Sequence, residues 1–113
     1  MHEMAIAEGI LDIALDYAKQ NNAEKIREVG LLLGEMSGVE TDSLEFCFES
    51  LVRGTIAEGA LLKLRRVPLM GRCRKCGRET HIEHYNFICP ACREGALDIL
   101  SGRELQVEYL EVD

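Results

Sequence analysis

The 113-residue chain lacks any apolar run near the roughly 20 residues that a membrane-spanning helix needs. Its N-terminus has no basic stretch followed by a continuous apolar one, so no signal peptide is expected. Basic charge is also scarce. Thirteen Lys and Arg stand against 20 Asp and Glu, a formal net charge of −7. Phosphate binding needs a basic face, so this balance argues against DNA or RNA as the main partner. Long polar low-complexity tracts are missing too, and 47% of residues are hydrophobic, which argues against disorder. The length fits one compact domain, or one domain carrying a small inserted module, with a single ordinary core.

Cysteine is what the chain does have. Four of its five cysteines form two tight C-x-x-C pairs, Cys73-Cys76 and Cys89-Cys92. Without an export signal, such pairs point to metal binding in a reducing compartment rather than to disulfides. The expected location is therefore cytoplasmic.

Periodicity predicts a helix from about Met4 to Gln20. Ile6, Ile10, Ile13 and Tyr17 fall on one stripe, with Ala7, Leu11, Ala14 and Ala18 beside it. Asn21-Asn22 supplies the stop. Ile26 to Glu35 reads as a strand, because glycines at 30, 34 and 38 would weaken a helix. Those glycines would let a helix pack closely on one face. Thr41 to Arg53 returns to helical spacing, with Leu44, Cys47, Phe48 and Leu51 facing one way. Cys47 is then a core residue. Asp42 with Glu45 reads as a capping box, and Gly54 suits the C-terminal turn. Ala60 to Val67 and Glu104 to Val112 read as strands. The expected fold is α+β: a three-stranded sheet with two helices, plus an inserted four-cysteine zinc ribbon. The domain division that follows is 1-69 with 99-113, and 70-98 for the ribbon.

Within the ribbon, Gly71 and Gly95 punctuate the two ends, and twelve residues, a short hairpin, separate Cys76 from Cys89. Two thiolates on one tight turn grip an ion, and a second turn closes a tetrahedron of four sulfurs. Cys73, Cys76, Cys89 and Cys92 are thus the expected Zn(II) ligands. With no open position the zinc is structural, worth on the order of 10–16 kcal/mol to a module too small to fold on apolar burial alone. His81-Ile82-Glu83 before Cys89-Pro90-Ala91-Cys92 is similar to a deaminase signature, but the proline lies inside the pair and the separation is too short. His81 and His84 read as surface residues of the ribbon, with substitution for a cysteine as the other option.

The chain starts Met1-His2-Glu3. A free α-amine, the backbone nitrogens of His2 and Glu3 and the His2 imidazole can chelate one ion through small rings. Four nitrogens in a plane suit Ni(II) or Cu(II) better than zinc. A solvated N-terminal histidine is the plainer alternative.

Met1-His2-Glu3 heading an amphipathic helix stands together with a late C-x-x-C-G and C-P-x-C ribbon. Thr55-Ile56-Ala57-Glu58-Gly59-Ala60 precedes one strand, and Gly102-Arg103-Glu104-Leu105 precedes another. Over essentially its whole length the chain resembles the HypA/HybF family of hydrogenase nickel-incorporation proteins. The resemblance implies a non-enzymatic metallochaperone for [NiFe]-hydrogenase maturation, with urease as a further client in some members. By position, His2 would be the main nickel ligand, with Met1 and Glu3 adding backbone nitrogens. The four ribbon cysteines would be the zinc ligands. The implied partners are the GTPase HypB and the hydrogenase large-subunit precursor. Leu-rich strands could also pair or swap between chains as a homodimer. Two other classes compete. A zinc-ribbon module in a nucleic-acid complex is favoured by Arg65, Arg66, Arg72, Arg74, Lys75 and Arg78 and opposed by the net charge. A metal-dependent hydrolase or deaminase lacks an open zinc position.

Overall fold

A computed structural model describes residues 3–113. In chain order the elements are α1 (Glu3–Gln20), β1 (Ile26–Gly34), a 3-10 turn (Glu35–Ser37), α2 (Thr41–Leu51), β2 (Leu61–Val67), β3 (Met70–Cys73), β4 (Glu79–His81), β5 (Leu97–Ser101) and β6 (Leu105–Val112). They form two three-stranded sheets, ordered β2-β1-β6 and β4-β3-β5. The chain divides into two compact units. One comprises the residues up to Leu32, Gly38–Arg65 and Leu105–Asp113; the other comprises Leu33–Ser37 and Arg66–Glu104.

In the first unit α1 buries Ala7, Ile10, Leu11, Ala14 and Ala18. The helix ends where the asparagines stand. Asn22 takes a left-handed φ of 54°. The Ala23 amide donates to the Ala18 carbonyl at 2.8 Å and the Asn22 amide to Lys19 at 3.2 Å. That pair satisfies the last carbonyls of the helix, a left-handed asparagine replacing the usual glycine. Ile13 and Tyr17 share a stripe with the buried Ile10, yet both are exposed. Helical periodicity assigns a residue to a face, but neighbouring elements decide how far along the helix that face is covered.

Helix α2 adds Leu44, Cys47 and Phe48 to the core, with Val29 and Leu31 of β1 in the same cluster. Its start differs from the expected Asp42-Glu45 box. The N-cap is Glu40, and it makes no side-chain cap. Instead Glu3 of α1 accepts the Glu40 amide at 3.3 Å and the Ser43 hydroxyl at 3.4 Å. Asp42 lies inside the first turn, too late to cap, so a carboxylate from another helix takes the role. The glycines of β1 do not receive a helix either. A Cβ on Gly30 would fall 2.0 Å from the ring of Tyr109 on β6, and one on Gly34 would fall 2.2 Å from the Gly102 carbonyl oxygen. A ring and a backbone fill the space that glycine leaves.

The second unit has its own small core of Leu69, Cys73, Ile82, Cys89 and Leu97. Strand β3 pairs antiparallel with β4 through Arg72 and Glu79, and with β5 through Cys73 and Leu97. The region between the cysteine pairs is not itself the expected short hairpin. Each pair sits at the tip of its own hairpin, the first between β3 and β4 and the second inside the Ile88–Ala96 bridge. The C-x-x-C turn is tight enough to serve as the hairpin connection, with Gly77 supplying a φ of 77° after the first pair.

Candidate metal centre

The two hairpin tips bring four sulfurs together. The sulfur atoms of Cys73, Cys76, Cys89 and Cys92 all lie within 4.8 Å of one another. Cys73 Sγ is 3.7 Å from Cys92 Sγ, and Cys76 Sγ is 3.7 Å from Cys89 Sγ. A disulfide would require about 2.05 Å. Four sulfurs each about 2.3 Å from a tetrahedral zinc stand about 3.8 Å apart, so the spacing fits that ion and excludes crosslinking in this state.

Backbone amides point at the sulfurs. The Lys75 and Cys76 amides donate to Cys73 Sγ at 3.3 and 3.4 Å, and the Gly95 amide donates to Cys92 Sγ at 3.4 Å. These donors favour thiolate. The Cys73 thiol is held below its ordinary pKa chiefly by the Cys76 amide, Cys89 by the Cys92 amide, and Cys92 by the amides of Glu94 and Gly95. Cys76 goes the other way. The Arg78 amide pulls its pKa down, but the Cys73 sulfur, burial and the sulfurs of Cys89 and Cys92 push it up to about 11. Like charges gathered this closely resist the last ionisation. A dication at the centre removes that penalty, which is the chemistry of a closed four-thiolate site.

Gly95 is part of this site, and its sequence position gave it only the role of a boundary. A Cβ there would stand 2.2 Å from Cys73 Sγ and 3.0 Å from the Lys75 Cβ. The only sequence signal was a glycine three residues after the last cysteine.

His81 and His84 stay away from the sulfurs. Among the described residues, the one His/Cys/Asp/Glu group close enough to hold an ion is the four-cysteine group. His81 Nε2 instead lies 2.8 Å from Glu35 Oε1, an oxygen that also accepts the Leu69 amide at 2.9 Å. His84 is exposed, with a left-handed φ of 53°. The deaminase arrangement therefore has neither its histidine ligand nor an open metal position. Cys47 is 8% exposed in the first core, as a buried helical cysteine should be.

The basic run beside Cys73 is largely spent on ion pairs. Arg72 pairs with Glu79, Arg74 with Asp98, Lys75 with Glu94 and Arg65 with Glu108. Each of these four cations meets an acid within the protein, which weakens the footprint for nucleic acid.

Of the expected nickel donors, Met1 and His2 lie outside the described residues. Glu3 opens α1, with its carboxylate engaged at the start of α2 and its pKa lowered first by the Glu40 amide. No helix among the described residues is long and apolar enough to cross a membrane.

Fold and site together define a small α+β protein carrying a four-cysteine metal ribbon. The comparisons give the particular family. A family profile described as "Hydrogenase/urease nickel incorporation, metallochaperone, hypA" matches residues 1–112. A protein of Geobacter metallireducens named hydrogenase maturation factor HypA is 41% identical over 113 residues, all of both chains. One of the same name from Geotalea uraniireducens is 42% identical over the same span. The chain belongs to the HypA family. Two solution structures share the fold. The Ni metallochaperone HypA from Helicobacter pylori has a TM-score of 0.69, with 99% of this chain and 97% of that one covered. A second HypA protein has a TM-score of 0.74, with 100% and 97% covered. Both are 23% identical to this chain. The family is one of metallochaperones and maturation factors, not of catalysts.

Proposed function

We propose that this protein binds Ni(II) and delivers it for maturation of [NiFe]-hydrogenase, with a structural Zn(II) held by Cys73, Cys76, Cys89 and Cys92. The observation that carries the reading is the family match across residues 1–112. The four-sulfur cluster supports a division of labour. Four protein ligands close a zinc site, so a cargo ion needs another place. Met1, His2 and Glu3 offer it: an amine, two amide nitrogens and an imidazole suit square-planar Ni(II), and so few ligands allow stepwise exchange onto a client's thiolates. In this reading 1-69 with 99-113 form the nickel-binding domain and 70-98 the zinc-ribbon domain. The protein works in the cytoplasm with the GTPase HypB and the hydrogenase large-subunit precursor, and urease is a further client.

The test is a nickel titration of tag-free protein with its native N-terminus, beside His2→Ala, with zinc measured in both. One diamagnetic Ni(II) bound by the wild type and lost in the variant, at one zinc per chain in each, is the expected result. Equal nickel binding by the two would remove the N-terminal site.

A further inference from the structure

The four cysteines of the ribbon do not share one environment. Cys73 and Cys89 are buried, at 2% and 0% exposure. Cys92 is half-buried, and Cys76 is exposed. Their places in the chain account for this. Cys73 closes β3, and Cys89 follows the bridge residue Ile88. Cys76 lies on the connection between β3 and β4, where Arg74, Lys75, Gly77, Arg78 and Glu79 are exposed with it. A Cβ on Gly77 would meet nothing within 4 Å, so the chain beside Cys76 faces open space.

The sulfurs also differ in what donates to them. Cys73 receives the amides of Cys76 and Lys75, Cys89 those of Cys92 and Ala91, and Cys92 those of Glu94 and Gly95. Among the described residues Cys76 receives one amide, that of Arg78. A thiol bound to a metal dication is deprotonated outright, so in a loaded site all four are thiolates. Each N–H donor stabilises the lone pairs that would attack an electrophile, and a more stabilised thiolate is a weaker nucleophile. Exposure and donor count select the same sulfur.

We infer that Cys76 is the oxidant-sensitive ligand of the ribbon, on the reading of the four sulfurs as a zinc site: a peroxide reacts there first, and loss of that sulfur opens the site. The Cys76 thiolate attacks one oxygen of hydrogen peroxide. An S–O bond forms, the O–O bond breaks, and the departing hydroxide takes up a proton to become water. The sulfur has given two electrons to the peroxide and is a sulfenic acid. The other ligand sulfurs all lie within 4.8 Å. One of them attacks the Cys76 sulfur: an S–S bond forms, the S–O bond breaks, and the hydroxide leaves as a second water. The sulfurs that remain cannot close a tetrahedral site. Cys73 and Cys89 are also core residues of the second unit, so the loss reaches its packing. A thiol reductant cleaves the disulfide and lets the metal return.

The zinc-loaded full chain is treated with limiting hydrogen peroxide in the presence of dimedone, which traps sulfenic acids. Peptide mass spectrometry locates the adduct, and a chromophoric chelator follows zinc release. Expected are a first adduct on Cys76, zinc release in step with oxidation when dimedone is omitted, and recovery of zinc binding after a thiol reductant. Cys47, buried in the first core, should stay unmodified. Cys76→His keeps four ligands, since imidazole also binds zinc, and should lose the adduct and slow the release. Cys92→His should keep the adduct on Cys76. A first adduct on Cys73, Cys89 or Cys92, or release from Cys76→His at the wild-type rate, would overturn the inference. Zinc is measured before the oxidant is added. A chain that holds none removes the zinc site and this inference with it, whereas a loaded chain that reacts first at another cysteine removes the inference alone.

Discussion

The two compact units are built on different physical terms. The first gathers its core from both helices and from the sheet: Ile10 and Leu11 from α1, Leu44 and Phe48 from α2, Val29 and Leu31 from β1. Apolar burial at about 25 cal/mol per Å² stabilises such a core without help. The apolar cluster of the second unit has five buried residues, and two of them, Cys73 and Cys89, belong to the four-cysteine site. Its strands β3, β4 and β5 span four, three and five residues. Remove the sulfurs from that core and Leu69, Ile82 and Leu97 remain, too little to order a segment of this length. The first unit is held by apolar burial; the second leans on its cluster of four sulfurs.

Stripping the metal from the ribbon is the largest expected perturbation. Structural zinc in small modules contributes about 10–16 kcal/mol of apparent binding energy at neutral pH. Chelation, or Cys73→Ser, should remove hydrogen-exchange protection from β3, β4 and β5 while the amides of α1 and α2 keep theirs. Equal loss in the helices would show that the two cores are not separate. The reciprocal change is Phe48→Ala. Phe48 is 2% exposed, and truncating such a ring costs about 3–5 kcal/mol. Denaturation followed by a helix signal should shift accordingly, with metal stoichiometry unchanged. A variant that loses its metal as well would break the contrast.

The same contrast explains what could be read from the sequence. The helices carry a 3.6-residue period over many positions, and α1 ends at Asn21-Asn22, so both were legible. C-x-x-C is a local pattern, and the convergence of the two pairs followed from needing four sulfurs around one centre. The second sheet was not legible, because strands of three to five residues carry too few positions for alternation to register. The start of α2 was misread for a different reason: its capping carboxylate, Glu3, lies 37 residues before Glu40. The openness of Ile13 and Tyr17 depends on what lies over the helix, which periodicity does not encode.

Gly95 sharpens the contrast within the ribbon. A Cβ there would stand 2.2 Å from Cys73 Sγ. Gly95→Ala must therefore move a ligand sulfur or the Lys75 turn. Changes in the shell behind metal ligands typically lower affinity by about 10–100-fold. Competition with a chromophoric chelator should show that loss. The first unit supplies the comparison at Gly9, where Gly9→Ala finds open space and should stabilise α1 by up to about 1 kcal/mol. Opposite signs for one and the same substitution would separate a glycine required by sulfur packing from one whose side of the helix is empty.

The smallest effect concerns the Glu35–His81 pair, a polar contact in a unit otherwise dominated by sulfur. Glu35 joins the Leu69 amide to the His81 ring through one oxygen. The Leu69 amide, then the His81 ring, lowers the Glu35 pKa from 4.5. Glu35, first by its hydrogen bond and then by its charge, raises the His81 pKa from 6.5, with Glu83 adding to it. A lowered carboxylate contributes stability above its ordinary pKa and loses it as pH falls through the folded value. A raised histidine contributes fully below its ordinary pKa and loses that as pH rises through the folded value. Both contributions are therefore complete between 4.5 and 6.5 and decline on either side. The Leu69 amide reports the clasp directly, since Glu35 is its acceptor. Its protection factor, corrected for intrinsic exchange, should peak in that window and fall as the His81 ring titrates. In His81→Gln the fall at higher pH should vanish while the acid limb stays. If the high-pH decline persists in that variant, the clasp is not what holds Leu69, and the ribbon depends on its sulfurs alone.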